Sequence, residues 1–181
     1  MFNTYTRELS DESEVITTQF ADDITHSDSD FSFELLTEKL QKAFYTTKKF
    51  CDKQKLEINT KKTQFIIFKP PRKKLPENFK IQLEDNSIMV ENSVKLLGVQ
   101  LDKHLTFDEQ INSVIKKCNS KLGMLARASK SMPKQLLKLA YTGLVRSHTE
   151  FASSLYLGLS KKNSMKLEII QKSSKNYNSL T

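Results

Sequence analysis

An α+β fold, with short antiparallel hairpins and one backing helix ahead of an all-helical region, is predicted by a change of hydrophobic period along the chain. Up to residue 104, brief β-branched and aromatic runs alternate with turn residues around a single helical stretch; from residue 105 onward the spacing is helical throughout. Composition agrees with a folded domain, or two small subdomains sharing a core. In 181 residues, 38% are hydrophobic, and four Gly, four Pro and no Trp argue against a low-complexity chain.

The first element is VITTQFADDITHS, residues 15–27, in which two strand-like runs flank Ala21, Asp22 and Asp23 at or near a turn. Next, Ser32 to Lys55 places Leu36, Leu40, Ala43, Phe44, Thr47 and Cys51 on one helical face, with Ser32 as a plausible N-cap. A polar turn at Asn59 to Lys62 leads into a short strand from Gln64 to Phe68. Pro70, Pro71 and Pro76 then exclude regular structure and leave an exposed basic loop. IQLEDNSIMV reads as a second hairpin turning at Asp85-Asn86. VKLLGVQLD continues it as a third strand, giving a small antiparallel sheet between Ile81 and Leu101.

In the helical region, Thr106 with Glu109 forms a capping box for a helix that ends near Ser129. Pro133 sits at the first turn of another, with Leu136, Leu137, Ala140, Leu144 and Val145 as its buried face. A last helix covers Asn163 to Lys175, and the polar tail after Lys172 is expected to fray.

Charge divides the chain. Residues 1–38 hold ten Asp/Glu and one Arg, while residues 39–181 hold 28 Lys/Arg and eleven Asp/Glu, so a −9 head precedes a +17 body. A basic body attracts a polyanion, either nucleic acid or an anionic membrane surface. Cys51 and Cys118 stand apart, with no Cys/His grouping, so neither a disulfide framework nor a zinc site is suggested and reduced, half-buried thiols are predicted. No apolar run approaches the roughly 20 residues that span a bilayer, and the start of the chain is acidic. An intracellular protein, cytoplasmic or nuclear and away from membranes, is expected.

Adjacent carboxylates at Asp22 and Asp23 repel, and a fold tolerates them where water screens them or a cation lies between them. The first case is a solvated acidic turn. The second is part of a magnesium site, since oxygen ligands suit that hard cation. His26, His104 and His148 are scattered, which suits structural or solvated roles better than ligation.

The order FADD between two strands, a helix, LEINTKKTQFIIF, a basic linker, VKLLGVQLDKHLTFDEQI and a helical tail resembles the reverse transcriptase of non-LTR retrotransposons of the jockey-like kind. In that family Phe/Tyr-Ala-Asp-Asp forms the palm hairpin with metal-binding catalytic aspartates, and Asp22 and Asp23 fall on it. A Leu-x-Leu-Asn-x-x-Lys-Thr segment with a later phenylalanine is matched by Leu56, Ile58, Asn59, Lys62, Thr63 and Phe68. The strand ending Leu-Gly-Val-x-Leu-Asp before Leu-Thr-Phe is matched by Leu97 to Asp102 and Leu105 to Phe107, and MFNTYTREL looks like the stretch before the hairpin. Gln110 departs from the family's histidine, and Ile24 from its threonine.

The resemblance implies an incomplete reverse-transcriptase palm over residues 1–104 and a thumb-like helical region over 105–181. It implies Mg2+ on Asp22 and Asp23, with Lys62 near the incoming nucleotide and Lys61 beside it. Arg72, Lys73 and Lys74 form a patch suited to nucleic-acid phosphates. Partners of the complete enzyme would be an RNA template, a DNA primer and deoxynucleotides. The family's palm also uses an aspartate on an earlier strand, a Pro-Gln-Gly-Ser segment and fingers, none of which this sequence contains. Asp11, Asp28 and Asp30 cannot replace that aspartate by position, so a fragment inactive alone is expected. The alternative is a non-catalytic basic remnant that binds nucleic acid by shape and charge.

Overall fold

A computed structural model describes residues 15–76, 79–83 and 86–173. The fold is α+β and divides into two compact units, one comprising Met1–Ile67 and Lys74–Glu91, the other Phe68–Lys73 and Asn92–Thr181.

In the first unit, β1 (Ile16–Phe20) and β2 (Asp23–Ser27) pair antiparallel with Phe20 opposite Asp23, so Ala21 and Asp22 form a two-residue loop. Ala21 takes a left-handed φ of 53°. Helix α1 (Phe33–Lys53) starts where Ser32 Oγ accepts from Leu35 N at 3.3 Å, and Ala43, Phe44, Thr47 and Cys51 are its buried residues. It stops at a Schellman motif in which Leu56 N donates to Cys51 O at 2.8 Å and Lys55 N to Asp52 O at 3.1 Å. The motif requires a left-handed residue, and Lys55 supplies it at φ 58° against its own Cβ.

The same unit holds a three-stranded sheet in the order β3 (Phe65–Ile66), β5 (Asn86–Glu91), β4 (Lys80–Leu83). Ile81 and Leu83 alternate inward along β4 and pack with Phe44, Phe65 and Ile67 into one apolar cluster. Gln41 of α1 donates to Gln82 O at 2.8 Å.

Three expectations change here. The strand expected from Gln64 to Phe68 is shorter, and β3 runs parallel to β5. VKLLGVQLD is a separate hairpin, β6 (Ser93–Leu96) and β7 (Val99–Asp102), within the second unit. Its loop is Leu97-Gly98 at φ 47° and 85°, the positive pair that a two-residue type I′ connection needs. A Cβ on Gly98 would lie 3.5 Å from the Phe151 ring, in ordinary contact, so backbone conformation selects glycine there. Asn86 pairs with Leu83 in the sheet instead of sitting in the turn, and Asp85 lies outside the described residues.

The rest of the second unit is helical: α2 (Asp108–Ala128), α3 (Lys134–Tyr141), a π turn (Thr142–Arg146), α4 (Ser147–Glu150), a 3-10 turn (Ser153–Gly158) and α5 (Lys161–Ser173). Ile111, Val114, Cys118 and Leu125 of α2 meet Leu137, Tyr141, Val145, Leu167 and Ile170 in its core. Leu137, Tyr141 and Val145 are four residues apart, a spacing that drifts by about 40° per step on an α-helix. The wider π turn brings Val145 back to full burial. Leu136, expected in this face, is instead exposed. Ser129 ends α2 as expected, and Lys175 lies outside the described residues.

Asp102 and Gln110 tie the β6–β7 hairpin to α2, which places Asn92–Thr181 in one compact unit. Gln100 N donates to Gln110 Oε1 at 3.0 Å. Asp102 Oδ1 accepts from His104 N at 3.0 Å and Thr106 N at 3.1 Å, and Oδ2 from Phe107 N at 2.7 Å and the Thr106 hydroxyl at 3.1 Å. Thr106 donates its hydroxyl to Asp102 and accepts weakly from Asp108 N at 3.4 Å, and the expected capping box is replaced by Phe107 as N-cap at φ 59° with no side-chain cap bond of its own. Asn163 of α5, fully buried, donates to Asp108 Oδ1 at 2.7 Å and Thr106 O at 3.3 Å.

Burial alone would raise the Asp102 carboxyl, but the N–H groups of Thr106, Phe107 and His104 and the Thr106 hydroxyl hold it below the ordinary aspartate value of 3.8. Its folded value lies under its unfolded one, so its stabilisation is complete above pH 3.8 and is lost as pH falls through the folded value. Asp102→Asn should cost about 1–2 kcal/mol near neutral pH in urea unfolding, and the deficit should shrink below pH 4. Lys55→Gly should instead stabilise by roughly 0.5–1 kcal/mol in the same measurement, by relieving the left-handed cap.

Candidate functional site

Strand alternation sets the two faces of the β1–β2 hairpin. Thr17 and Gln19 pair with His26 and Ile24 on the side turned to α1, whereas Ile16, Thr18 and Phe20 pair with Ser27, Thr25 and Asp23 on the other. Phe20 is 63% exposed. Asp23 thus stands beside an exposed aromatic ring and Asp22 sits in the loop, both exposed. Among the described residues, no ion pair or side-chain hydrogen bond engages either carboxylate, and no group of three or more His, Cys, Asp or Glu could hold a metal. Two carboxylates alone fall short of the octahedral set of magnesium, whose remaining ligands would be water and substrate phosphates.

The acidic residues beyond the hairpin have another task. Lys39 Nζ lies 3.3 Å from Asp28 Oδ2 and 3.0 Å from Asp30 Oδ2, and Asp30 Oδ1 accepts from Ser32 N at 3.1 Å. The Ser32 N–H and the Lys39 ammonium hold the Asp30 carboxyl below its usual value, and Asp30, then Asp28, push the Lys39 ammonium up. These aspartates fix the start of α1. Sequence reasoning passed over Lys39, because the pairing joins residues nine and eleven apart with no motif to mark it. Asp11 and MFNTYTREL lie outside the described residues.

Lys61 and Lys62 are exposed in a turn organised by Asn59, whose carbonyl accepts from Lys62 N at 3.0 Å and Thr63 Oγ1 at 3.2 Å. No hydrogen bond or ion pair among the described residues joins either lysine to Asp22 or Asp23. An open cleft of about 460 Å³ in the same unit, beside Lys48, Asp52, Lys55 and Glu57, is lined by the motif residues Leu56 and Ile58 but by none of Asp22, Asp23, Lys61, Lys62, Arg72, Lys73 or Lys74.

In the second unit, Lys69 N donates to Lys103 O at 3.1 Å and His104 Nδ1 lies 2.9 Å from Lys69 O, pinning the start of the proline loop. His104 is therefore structural. Arg72 and Lys73 are exposed along that loop, as is Lys74, which belongs to the first unit. The second unit holds 18 Lys/Arg against 5 Asp/Glu, and the first 11 against 16, so net charges of +13 and −5 separate the two.

Comparison with family models, with curated proteins and with solved structures finds no match for the chain. Among the described residues, no helix is long and apolar enough to cross a membrane.

Asp22→Asn and Asp23→Asn should leave the thermal unfolding midpoint unchanged within error, since neither carboxylate bonds to the fold. Asp30→Ala should lower it, by freeing Lys39 and the Ser32 N–H.

Proposed function

We propose that this chain carries the C-terminal palm and the thumb of a reverse transcriptase of the non-LTR retrotransposon kind. The reading rests on the ordered motifs of the sequence, and the observation that carries it is the hairpin. A two-residue loop presents Asp22 and the adjoining Asp23 to solvent at the tip of a sheet whose other face is turned to a helix. Asp22 and Asp23 would hold Mg2+, which when bound stabilises negative charge on attacking and leaving oxygens of nucleotidyl transfer. Lys62 would act near the incoming deoxynucleotide, and Lys61 with Arg72, Lys73 and Lys74 on the phosphates of an RNA template and DNA primer. The further aspartate and the Pro-Gln-Gly-Ser segment are on no residue of this sequence. The chain by itself therefore binds without polymerising. The +13 of the second unit equally favours a second reading, a non-catalytic basic module for nucleic acid.

The purified chain should give no primer extension on an RNA template with magnesium and all four deoxynucleotides. It should bind duplexes without sequence preference, its affinity falling steeply with salt. Neutralising Arg72, Lys73 and Lys74 together should flatten log affinity against log salt by about one unit for each phosphate that these side chains no longer neutralise. Joined to fingers and a first palm strand from an active relative, the chain should polymerise and lose that activity with Asp22→Asn or Asp23→Asn, while Asp28→Asn and Asp30→Asn retain it. Equal loss at all four positions would leave only the binding module.

A further inference from the structure

A two-stranded sheet does not hold itself in water, so the hairpin bearing Asp22 and Asp23 depends on what fastens it. The ring of His26 spans the three elements concerned. Its Nδ1 lies 2.9 Å from Thr17 Oγ1 on β1, and its Nε2 lies 2.9 Å from Thr47 Oγ1 on α1. A neutral imidazole offers one N–H and one lone pair, and a hydroxyl can answer either, so both bonds are satisfied without charge.

Among the described residues, a proton added to this ring has no free anion to meet: Asp28, two residues on, is paired with Lys39. Strand β1 (ITTQF) contains no titratable residue, and Asp23, the only other titratable group on β2, stands on the opposite face. The buried face of α1 brings Ala43, Phe44, Thr47 and Cys51, of which Cys51 alone titrates; burial and then Asp52 push its thiol up, leaving it neutral. Thr47 is 3% exposed, so water reaches the Nε2 side poorly. An imidazolium here would be a cation flanked by hydroxyls in a desolvated seat.

The geometry points to His26 as a proton-controlled latch that fastens the Asp22–Asp23 hairpin to α1 when neutral and releases it when protonated. This deepens the reading of that hairpin as a metal-binding tip and rests on it only for the consequence: the aspartates are held in place above the latch's titration and loosened below it. Burial lowers His26 from its ordinary 6.5, the direction the geometry requires. With the attached value below the released one, fastening is complete above about pH 6.5 and weakens as pH falls, by up to tenfold per pH unit until the attached value is reached.

The test is amide hydrogen exchange on the full chain from pH 8 to 5.5, corrected for intrinsic rates, with residues 16–27 compared against α2. The opening constant of the hairpin should rise by up to about tenfold per pH unit below 6.5 while that of α2 does not, and His26→Gln, neutral throughout, should abolish the rise. A hairpin that tracks α2, or a His26→Gln chain that keeps the pH dependence, overturns the latch. If that variant does not fold, the wild-type His26 ring proton read by NMR decides: a midpoint below 6.5 supports the latch and one at or above it overturns it. Magnesium titration at pH 7.5, wild type against Asp22→Asn, judges the metal reading separately, since hairpin exchange requires no metal.

Discussion

One carboxylate sets the geometry of the second unit. Asp102 gathers donors from His104, Thr106 and Phe107 onto its two oxygens, which forces the chain through left-handed turns at Leu105 and Phe107 and delivers it into the first turn of α2. Helix α2 is therefore aimed by a side chain on the preceding strand and not by a cap of its own. The aim is then used twice, since Asp108 and the Thr106 carbonyl receive Asn163 from α5, and Gln110 receives Gln100 N from β7. The segment from Leu97 to Phe107, which in sequence looks like a family signature, thus has a complete mechanical explanation: Gly98 for the turn, Asp102 for the corner, Thr106 and Phe107 as its clients. Such a segment would persist whether or not any chemistry does.

The first unit is organised differently. Its sheet and α1 meet through aromatic and aliphatic contacts around Phe44, Phe65 and Phe79, with ring centroids 6.4 Å apart between the last two. Apolar contact is tolerant of small shifts and sets no unique direction. The polar connections, Gln41 to the Gln82 carbonyl and Lys39 to Asp28 and Asp30, supply direction at particular points. The hairpin tip, where two exposed carboxylates sit side by side, is held from behind, and among the described residues no ion pair or side-chain hydrogen bond engages either carboxylate.

What could be read from sequence followed range. The buried face of α1 and its Ser32 cap were legible because each is decided within one or two turns of helix. The position of Asp22 and Asp23 at a loop was legible for the same reason. The parallel pairing of β3 with β5 was not, since it joins Phe65 to Val90 across a proline loop that carries no pairing signal. The hairpin at Leu97-Gly98 was hidden because leucine at a positive φ defies its own propensity, and only the glycine after it hinted at a turn. The capping box at Thr106 failed because the charged Asp102 carboxylate four residues earlier takes the N–H groups of Thr106 and Phe107 and turns the chain there, so that Phe107 becomes the N-cap and the Thr106 hydroxyl accepts only from Asp108 N at 3.4 Å. Of the site, the residue types were visible; the partition of the acidic head into exposed Asp22 and Asp23 and paired Asp28 and Asp30 required coordinates.

Each compact unit happens to contain a single cysteine, Cys51 in the first and Cys118 in the second, both free and buried. Cys118 lies 3.8 Å from the Val145 carbonyl, deep among helices, and burial raises both thiols. A sulfur reagent therefore meets neither until the surrounding unit opens, and even then only the fraction ionised reacts. The chain carries its own pair of clocks: modification at one cysteine times the opening of one half, modification at the other times its neighbour. The two halves can be followed in the same tube without attaching a label to either.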